Sequence, residues 1–270
     1  MRHVLFLFLA ACGGSNQAST QAPTTTTTST AQAVPPHETV TTVTVSPAIA
    51  AIVAAPDRSA EDKAMDAGRH PGETLAFFGV APGMKVAEIA AGRGYTSELL
   101  ARAVGDSGKV WAVNNKTLLG FVGEEWTKRL STPAMKNVVR LDREFDDPLP
   151  PEAKDLDLVV NVLTYHDTVW MKVDRAKMNH AVFAALKPGG VYGIIDHSAR
   201  AGAGMNEVQT NHRIEESALV ADVLAAGFKL QSEAEFLKNP NDTRDWNDSP
   251  RVAGERRGTS DRFVLKFVRP

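Results

Sequence analysis

From residue 84 onward, the apolar positions of this chain fall into short blocks that alternate between strand-like runs and helical periodicity. Residues 85–91 read as an apolar strand and 96–104 as a helix. After the turn Gly105-Asp106-Ser107-Gly108, residues 109–114 form a second strand, completing a βαβ unit. A helix near 118–130 leads to a third strand at 138–141. Beyond a loop punctuated by Pro148, Pro150 and Pro151 comes 156–163, so continuously apolar that both faces of this strand must be covered. A helix over 174–186 stops at Lys187-Pro188-Gly189-Gly190, and a fifth strand follows at 191–196. A further helix at 215–226 ends at Gly227, and strands at 228–236 and 263–268 close the pattern. The alternation predicts an α/β fold, a doubly wound and mostly parallel seven-stranded sheet with helices on both faces. Its ligand crevice belongs at the carboxyl ends of the first strands.

Upstream the pattern is different. Met1-Arg2-His3 gives a small positive end, 4–9 a short apolar run, and Leu9-Ala10-Ala11-Cys12 a small-residue cleavage site ending in the only cysteine. That tetrapeptide resembles a bacterial lipobox, which implies cleavage before Cys12, acylation of its thiol and new amino group, and a protein exported and held to a membrane by lipid, with the periplasmic side expected. Acylated Cys12 would leave the folded part without a thiol, which suits an oxidising compartment. Residues 13–56 are rich in Thr, Ala, Ser, Gln and Pro and read as a disordered spacer. Within it, 40–45 alternates Val with Thr, but no pairing partner is evident in the sequence. The folded domain is therefore expected over 57–270, a length suited to one α/β domain.

Composition narrows the function. The chain is 43% hydrophobic and 23% charged with a formal net charge of -2, which describes a globular protein. Arg251, Arg256, Arg257 and Arg262 are interrupted by Glu255 and Asp261, so no unbroken basic stripe exists to neutralise a phosphate backbone, and nucleic acid is not expected as a partner.

The chemistry begins where the first strand turns into its helix. Glu88-Ile89-Ala90-Ala91-Gly92-Arg93-Gly94-Tyr95-Thr96 places an acid near the strand end and two glycines where the backbone bends. Glycine there lets main chain approach a ligand that a Cβ would repel, although a plain strand-to-helix turn accounts for the same residues. Later segments add Tyr165-His166-Asp167, Asp196-His197, His212-Arg213-Ile214 and Asp261-Arg262-Phe263, together with Gly79-Val80-Ala81-Pro82-Gly83-Met84 before the first strand.

Taken together, these segments resemble the Rossmann-like class I S-adenosylmethionine-dependent methyltransferases over residues 59–270, and among them a group of bacterial members, many of them exported. The resemblance implies S-adenosylmethionine as cofactor, methyl transfer to a small-molecule acceptor, and a last strand antiparallel to the rest. It implies that Gly92 and Gly94, with Ala90 and Tyr95 in the same loop, border the methionine part of the cofactor, and that Glu88 orders this loop or meets the cofactor amino group. Asn114 would meet the ribose hydroxyls, Asp142 the adenine amino group, and Asn161 to His166 would line the methyl-transfer side. Two positions depart from the family pattern. Ala90 replaces the first glycine, and Asn114 replaces an acid, offering the ribose a weaker, uncharged acceptor.

For catalysis, His166 is the candidate base, with Tyr165 beside it and His197 able to join. His212 and Asp196 share that end of the sheet, but the long spacings match no metal signature, so no metal is expected. The loop 198–214, with Gly202 and Gly204, would serve as a lid. Two other readings stay open. One is a catalytically silent methyltransferase-fold lipoprotein that binds a ligand. The other is a nicotinamide oxidoreductase, disfavoured because Gly-x-Gly-x-x-Gly is lacking.

Overall fold

The computed structural model describes residues 41–270. Three helices precede the sheet: α1 (Pro47–Val53), α2 (Ala60–Arg69) and α3 (Pro71–Phe78). The remaining elements are β1 (Lys85–Ile89), α4 (Tyr95–Val104), β2 (Lys109–Asn114), α5 (Lys116–Leu130), β3 (Val138–Asp142), β4 (Leu156–Val162), α6 (Asp167–Trp170), α7 (Arg175–Ala185), β5 (Leu186–His197), α8 (Glu216–Ala225), β6 (Lys229–Ala234) and β7 (Arg262–Val268).

The seven strands form one sheet in the order β3-β2-β1-β4-β5-β7-β6. The pairs β1–β2, β2–β3, β1–β4 and β4–β5 are parallel. β7 runs antiparallel to both its neighbours, β5 and β6. The expected seven-stranded sheet with a reversed last strand is thus present, and β7 inserts between β5 and β6 rather than adding at an edge.

Alternation along the strands fixes the layers. Ala87, Ile89, Val159, Tyr192, Ile194 and Phe263 belong to one core, shared with Met178 and Val182 of α7 and Leu219 and Val223 of α8. Their chain neighbours Val86, Leu158, Val160, Ile195 and Val264 belong to a second core, with Leu75 and Phe78 of α3 and Leu99 and Leu100 of α4. Period-two side chains on a sheet with apolar residues on both faces force helices onto both sides. Each such Val, Leu, Ile or Phe contributes roughly 1.5–3 kcal/mol on full burial, which is why β1 and β4 tolerate so little polarity.

Structure begins upstream of the expected boundary at Asp57. Ser46 caps α1 by accepting from the Ile49 N–H, with Pro47 in the first turn. Val43, Ile49, Ile52 and Val53 pack against the α3–α4 core. Thr41 N–H donates to the Glu233 carbonyl at 2.9 Å, a single bond alongside β6 rather than a strand. The spacer reading fails over this stretch because four apolar residues scattered among Ala and Thr were enough to dock it. The signal peptide, Cys12 and the rest of the spacer lie outside the described residues.

A second revision concerns Lys187-Pro188-Gly189-Gly190. The turn read there is part of β5, whose pairing with β4 shifts register between Leu156 and Leu158. Gly189, at φ +76°, makes that irregularity, and its N–H donates to the Arg269 carbonyl at 2.8 Å.

Candidate functional site

The end of β1 is held by its neighbours. Asn114, fully buried at the end of β2, accepts from the Gly92 N–H at 2.8 Å and donates to the Gly92 carbonyl at 3.0 Å. A carboxylate could only accept, so the Asn that departs from the family pattern makes a two-way clamp that an acid could not. It also commits both amide atoms to the loop rather than to a ribose. Ala90 stands at φ +64°, a left-handed conformation that glycine adopts freely and alanine adopts at a cost of roughly 1–2 kcal/mol. The loop therefore keeps a glycine-like path without the glycine.

Gly92 and Gly94 are glycine for different reasons. A Cβ at Gly92 would meet nothing within 4 Å, so its backbone faces open space. A Cβ at Gly94 would lie 2.5 Å from Trp126 Cζ3 and 2.8 Å from Arg129 Cδ. Packing against α5, rather than approach of a ligand, demands glycine there, which corrects the expectation for that residue.

Glu88 is buried beneath this loop and accepts from Ser97 Oγ. Burial pushes its carboxyl up to about 7, opposed by the hydrogen bonds from Ser97 and Thr96. Tyr95 points the other way, its hydroxyl donating to Asp66 Oδ1 at 2.6 Å and its ring lying 4.6 Å from the Arg69 guanidinium. Beside it, Leu99, Val162, Leu163 and Ile195 surround a cavity of about 20 Å³, room for roughly one water. Asp142, at the end of β3 and paired in register with Asn114, is half-exposed and accepts from Arg140 Nε at 2.7 Å. Asn161 is fully buried on β4, and neither its Nδ2 nor its Oδ1 has a hydrogen-bond partner. Its neighbour on that face is the equally buried Tyr192 hydroxyl, with which it interacts across the strands.

The second half of the site lies at the ends of β4 and β5. Asp196 is fully buried and accepts three bonds: from His166 N–H at 2.8 Å, from His166 Nδ1 at 2.6 Å, and from His197 N–H at 2.8 Å. His166 Nε2 lies 3.3 Å from Asp167 Oδ1 without hydrogen-bond geometry. His212 Nδ1 lies 3.6 Å from the same oxygen. The His166 ring is 4.1 Å from His212 and 5.4 Å from His197, centroid to centroid. His197 Nδ1 meets Asp248 Oδ2 at 2.6 Å and Ser260 Oγ at 2.9 Å.

The electrostatics follow from that packing. Burial alone would lower His166, but the carboxylates of Asp196 and Asp167 outweigh it and push the imidazole up to about 10. Against burial, the His166 charge holds Asp167 down to about 2. Burial and the adjoining His166 charge take His212 down to about 4. Burial also lowers His197, despite Asp248. At neutral pH the apo cluster thus keeps His166 protonated between two carboxylates, a poor state for the base it was expected to be, while His212 stays neutral.

Tyr165 does not join them. Its hydroxyl accepts from Asn179 Nδ2 at 2.8 Å and reaches Asp222 Oδ2 at 3.4 Å, in the layer of α7 and α8. The backbone turn after β4 sends Tyr165 into the helical core and His166 toward β5, so only the histidine serves the site. The loop expected to be a lid is fastened down. Ser198 bridges Ile214, the Glu215 N–H donates to the Gly204 carbonyl, and fully buried Arg213 holds the Ser198 carbonyl and Asp242. His212 sits in this loop at φ +58°, a strained backbone for a histidine. Asp248 and Ser260 were not singled out in the sequence, because neither carries a local signature; only the fold brings them to His197.

A seven-stranded sheet in this order, with a reversed β7 between β5 and β6, is what solved structures share with the chain. The fold is that of the class I methyltransferases. A SAM dependent methyltransferase from Aquifex aeolicus matches with TM-score 0.53 and 22% identity over 77% of this chain and 97% of that one. The glycopeptide N-methyltransferase MtfA matches with TM-score 0.53 and 16% identity, over 78% and 100% of the two chains. An arsenic (III) S-adenosylmethionine methyltransferase from Chlamydomonas reinhardtii matches with TM-score 0.51 and 16% identity, over 82% and 72%. No protein-family model matches the sequence, and no curated protein matches it either. The methyltransferase fold is therefore carried by topology across acceptors as unlike as a glycopeptide and arsenic(III), and it does not name an acceptor here.

Proposed function

We propose that this chain is an S-adenosylmethionine-dependent methyltransferase acting on a small-molecule acceptor, with Cys12 as a lipid anchor on the periplasmic side of a bacterial membrane. The observation that carries the reading is the open backbone at Gly92, at the carboxyl end of β1 in a sheet of methyltransferase order. Such strand ends are where doubly wound sheets bind nucleotides. The residues there fit a sulfonium nucleoside. Gly92 leaves room, ionised Glu88 would favour an ammonium group, and Asp142 is a half-exposed acceptor at the outer strand.

When bound, the cofactor supplies an electrophilic methyl group. This chain would supply alignment: Asn114 fixes the loop path, and Ala90 and Gly92 shape it. His166 and His197, backed by Asp196 and Asp248, stand where β4 and β5 end and would face the acceptor side. A buried imidazolium there would orient an anionic or hydrogen-bond-accepting acceptor group rather than take its proton.

Calorimetric titration of the purified protein with S-adenosylmethionine and S-adenosylhomocysteine tests the reading, with melting temperature as a second readout. Both nucleosides are expected to bind and to raise the melting temperature. Gly92→Asp should abolish both effects while the chain stays folded, since aspartate tolerates a left-handed backbone and only fills the open space. No heat and no thermal shift with either nucleoside would reject the enzyme and leave a silent ligand-binding module on the same scaffold.

A further inference from the structure

The histidine cluster contains an arrangement that the methyltransferase reading, which calls only on His166 and His197, leaves largely unused. His166 Nε2, Asp167 Oδ1 and a ring nitrogen of His212 all lie within 4.8 Å of one another. The chain brings them together from the end of β4, the start of α6 and the long loop after β5, which is why sequence spacing argued against a metal.

Three features distinguish this group from an ordinary buried ion pair. First, Asp196 accepts from His166 Nδ1 at 2.6 Å, which fixes the ring and turns Nε2 inward. A carboxylate behind a histidine in this way is the usual outer support of a metal-bound imidazole. Second, His166 Nε2 is wholly buried, and its contact with Asp167 falls short of hydrogen-bond geometry. It lies 3.3 Å from the Asp167 oxygen, and a metal binding there would displace the Nε2 proton. A proton on Nε2 would want to lie on the line to that oxygen, and hydrogen-bond geometry is not met. A cation off that line, touching both, satisfies them together. Third, the separations suit such a cation. Bonds of about 2.0–2.1 Å to nitrogen and oxygen place tetrahedral ligands roughly 3.3 Å apart, and the observed values are 3.3 Å for His166–Asp167 and 3.6 Å for His212–Asp167.

We propose that His166 Nε2, Asp167 and His212 bind a divalent transition metal of borderline softness, of the zinc or ferrous class, with Asp196 orienting His166. Two imidazoles and one carboxylate select such ions over magnesium or calcium, which prefer oxygen alone. Trp170 Nε1, donating to Asp167 Oδ1 at 2.6 Å, steadies the carboxylate, and the His197–Asp248 pair flanks the site. Three protein ligands leave at least one position for water or an acceptor heteroatom, as catalytic rather than structural sites do. Asp167 and His212 keep 13% and 18% of their side chains exposed, whereas His166 has none, so entry is from their side. The inference stands on these residues alone and does not need the cofactor reading.

The test is metal binding by the full chain, stripped with a chelator and titrated with Zn²⁺ and with Co²⁺. One equivalent should be retained after dialysis, and the Co²⁺ protein should show the visible absorption of a low-symmetry, four- or five-coordinate ion. His212→Ala should weaken Zn²⁺ binding by more than roughly 100-fold, and Asp196→Asn by roughly 10–100-fold as an outer-shell partner. His180→Ala, on the exposed face of α7, should change nothing. Less than one equivalent in the unaltered chain, or an octahedral Co²⁺ spectrum like that of the free ion, would overturn the proposal. So would His212→Ala binding Zn²⁺ as tightly as the parent. Circular dichroism confirms that each variant is folded, and the Co²⁺ spectrum of the parent decides the matter without any variant. Because metal is measured without nucleoside, failure here and failure of the methyltransferase reading are separate results.

Discussion

Two regions share the carboxyl edge of the sheet and solve opposite problems. Around Gly92 the protein ties its own groups: Asn114 accepts from the Gly92 N–H and donates to the Gly92 carbonyl, Gly94 N–H donates to the Ala91 carbonyl, and the Glu88 carboxylate accepts from Ser97. Around His166 the protein holds its groups firmly from behind, through Asp196, Asp248 and Trp170, and leaves His166 Nε2 without hydrogen-bond geometry. The first region is a preformed surface against which a ligand can lie. The second gathers His166, Asp167 and His212 with their ligand atoms within 4.8 Å of one another. Rigid support behind and unmet valence in front is the arrangement expected of a site that completes itself with something from outside.

The sharpest way to break the comparison is at the two glycines. Gly94→Ala is expected to cost about 2–5 kcal/mol, from a left-handed backbone at φ +84° and a Cβ driven into Trp126. Gly92→Ala should cost only about 1–2 kcal/mol, the backbone term alone. Urea unfolding of both variants measures the difference, and equal losses would mean that the open space at Gly92 is not there.

Next comes Glu88. Folding lifts its carboxyl from an ordinary 4.5 to about 7, so the folded chain holds a proton that the unfolded chain has already released between those values. Stability should therefore fall as pH rises through that window, with a total near 3 kcal/mol on the linkage relation. Glu88→Gln should flatten this slope and leave the variant the more stable above pH 7. A parent chain whose stability is unchanged from pH 5 to 8 would show Glu88 to be ionised throughout.

The smallest effect concerns the clamp. Asn114→Asp removes the bond donated to the Gly92 carbonyl and sets an acceptor against it, at an expected cost of about 1–3 kcal/mol. If nucleoside binding rises despite that loss, the carboxylate is being used by a ribose, and the clamp competes with the ligand.

These contrasts were unevenly legible in the sequence. The strands were, because β1, β4 and β7 are runs of buried apolar residues, and their bounds fall within a residue or two of the pattern. The helices before the sheet were not. In α2, capped by Ser59 and opening with Glu61 and Asp62, the inward-facing residue is Asp62, buried against Arg129 at 2.5 Å. The mostly polar sequence of α2 puts only Met65 against the core beside that ion pair, and the cap at Ser59 marks where the helix starts. At the site, the Gly92 turn was visible as a motif, but the separate duties of Gly92 and Gly94 depend on Trp126, more than thirty positions away. The histidines were visible as residues and not as a group, since the loop that delivers His212 is shaped by Arg213 and Asp242.

The inverted strand has a consequence for how the molecule assembles. β6 is hydrogen-bonded to the sheet only through β7, which follows it in the chain, so the earlier strand joins the sheet with the later one or after it. Assembly order is thereby uncoupled from chain order. Arg262, Phe263 and their neighbours act as the keystone, and pulling that one hairpin limb loose would free two strands at once.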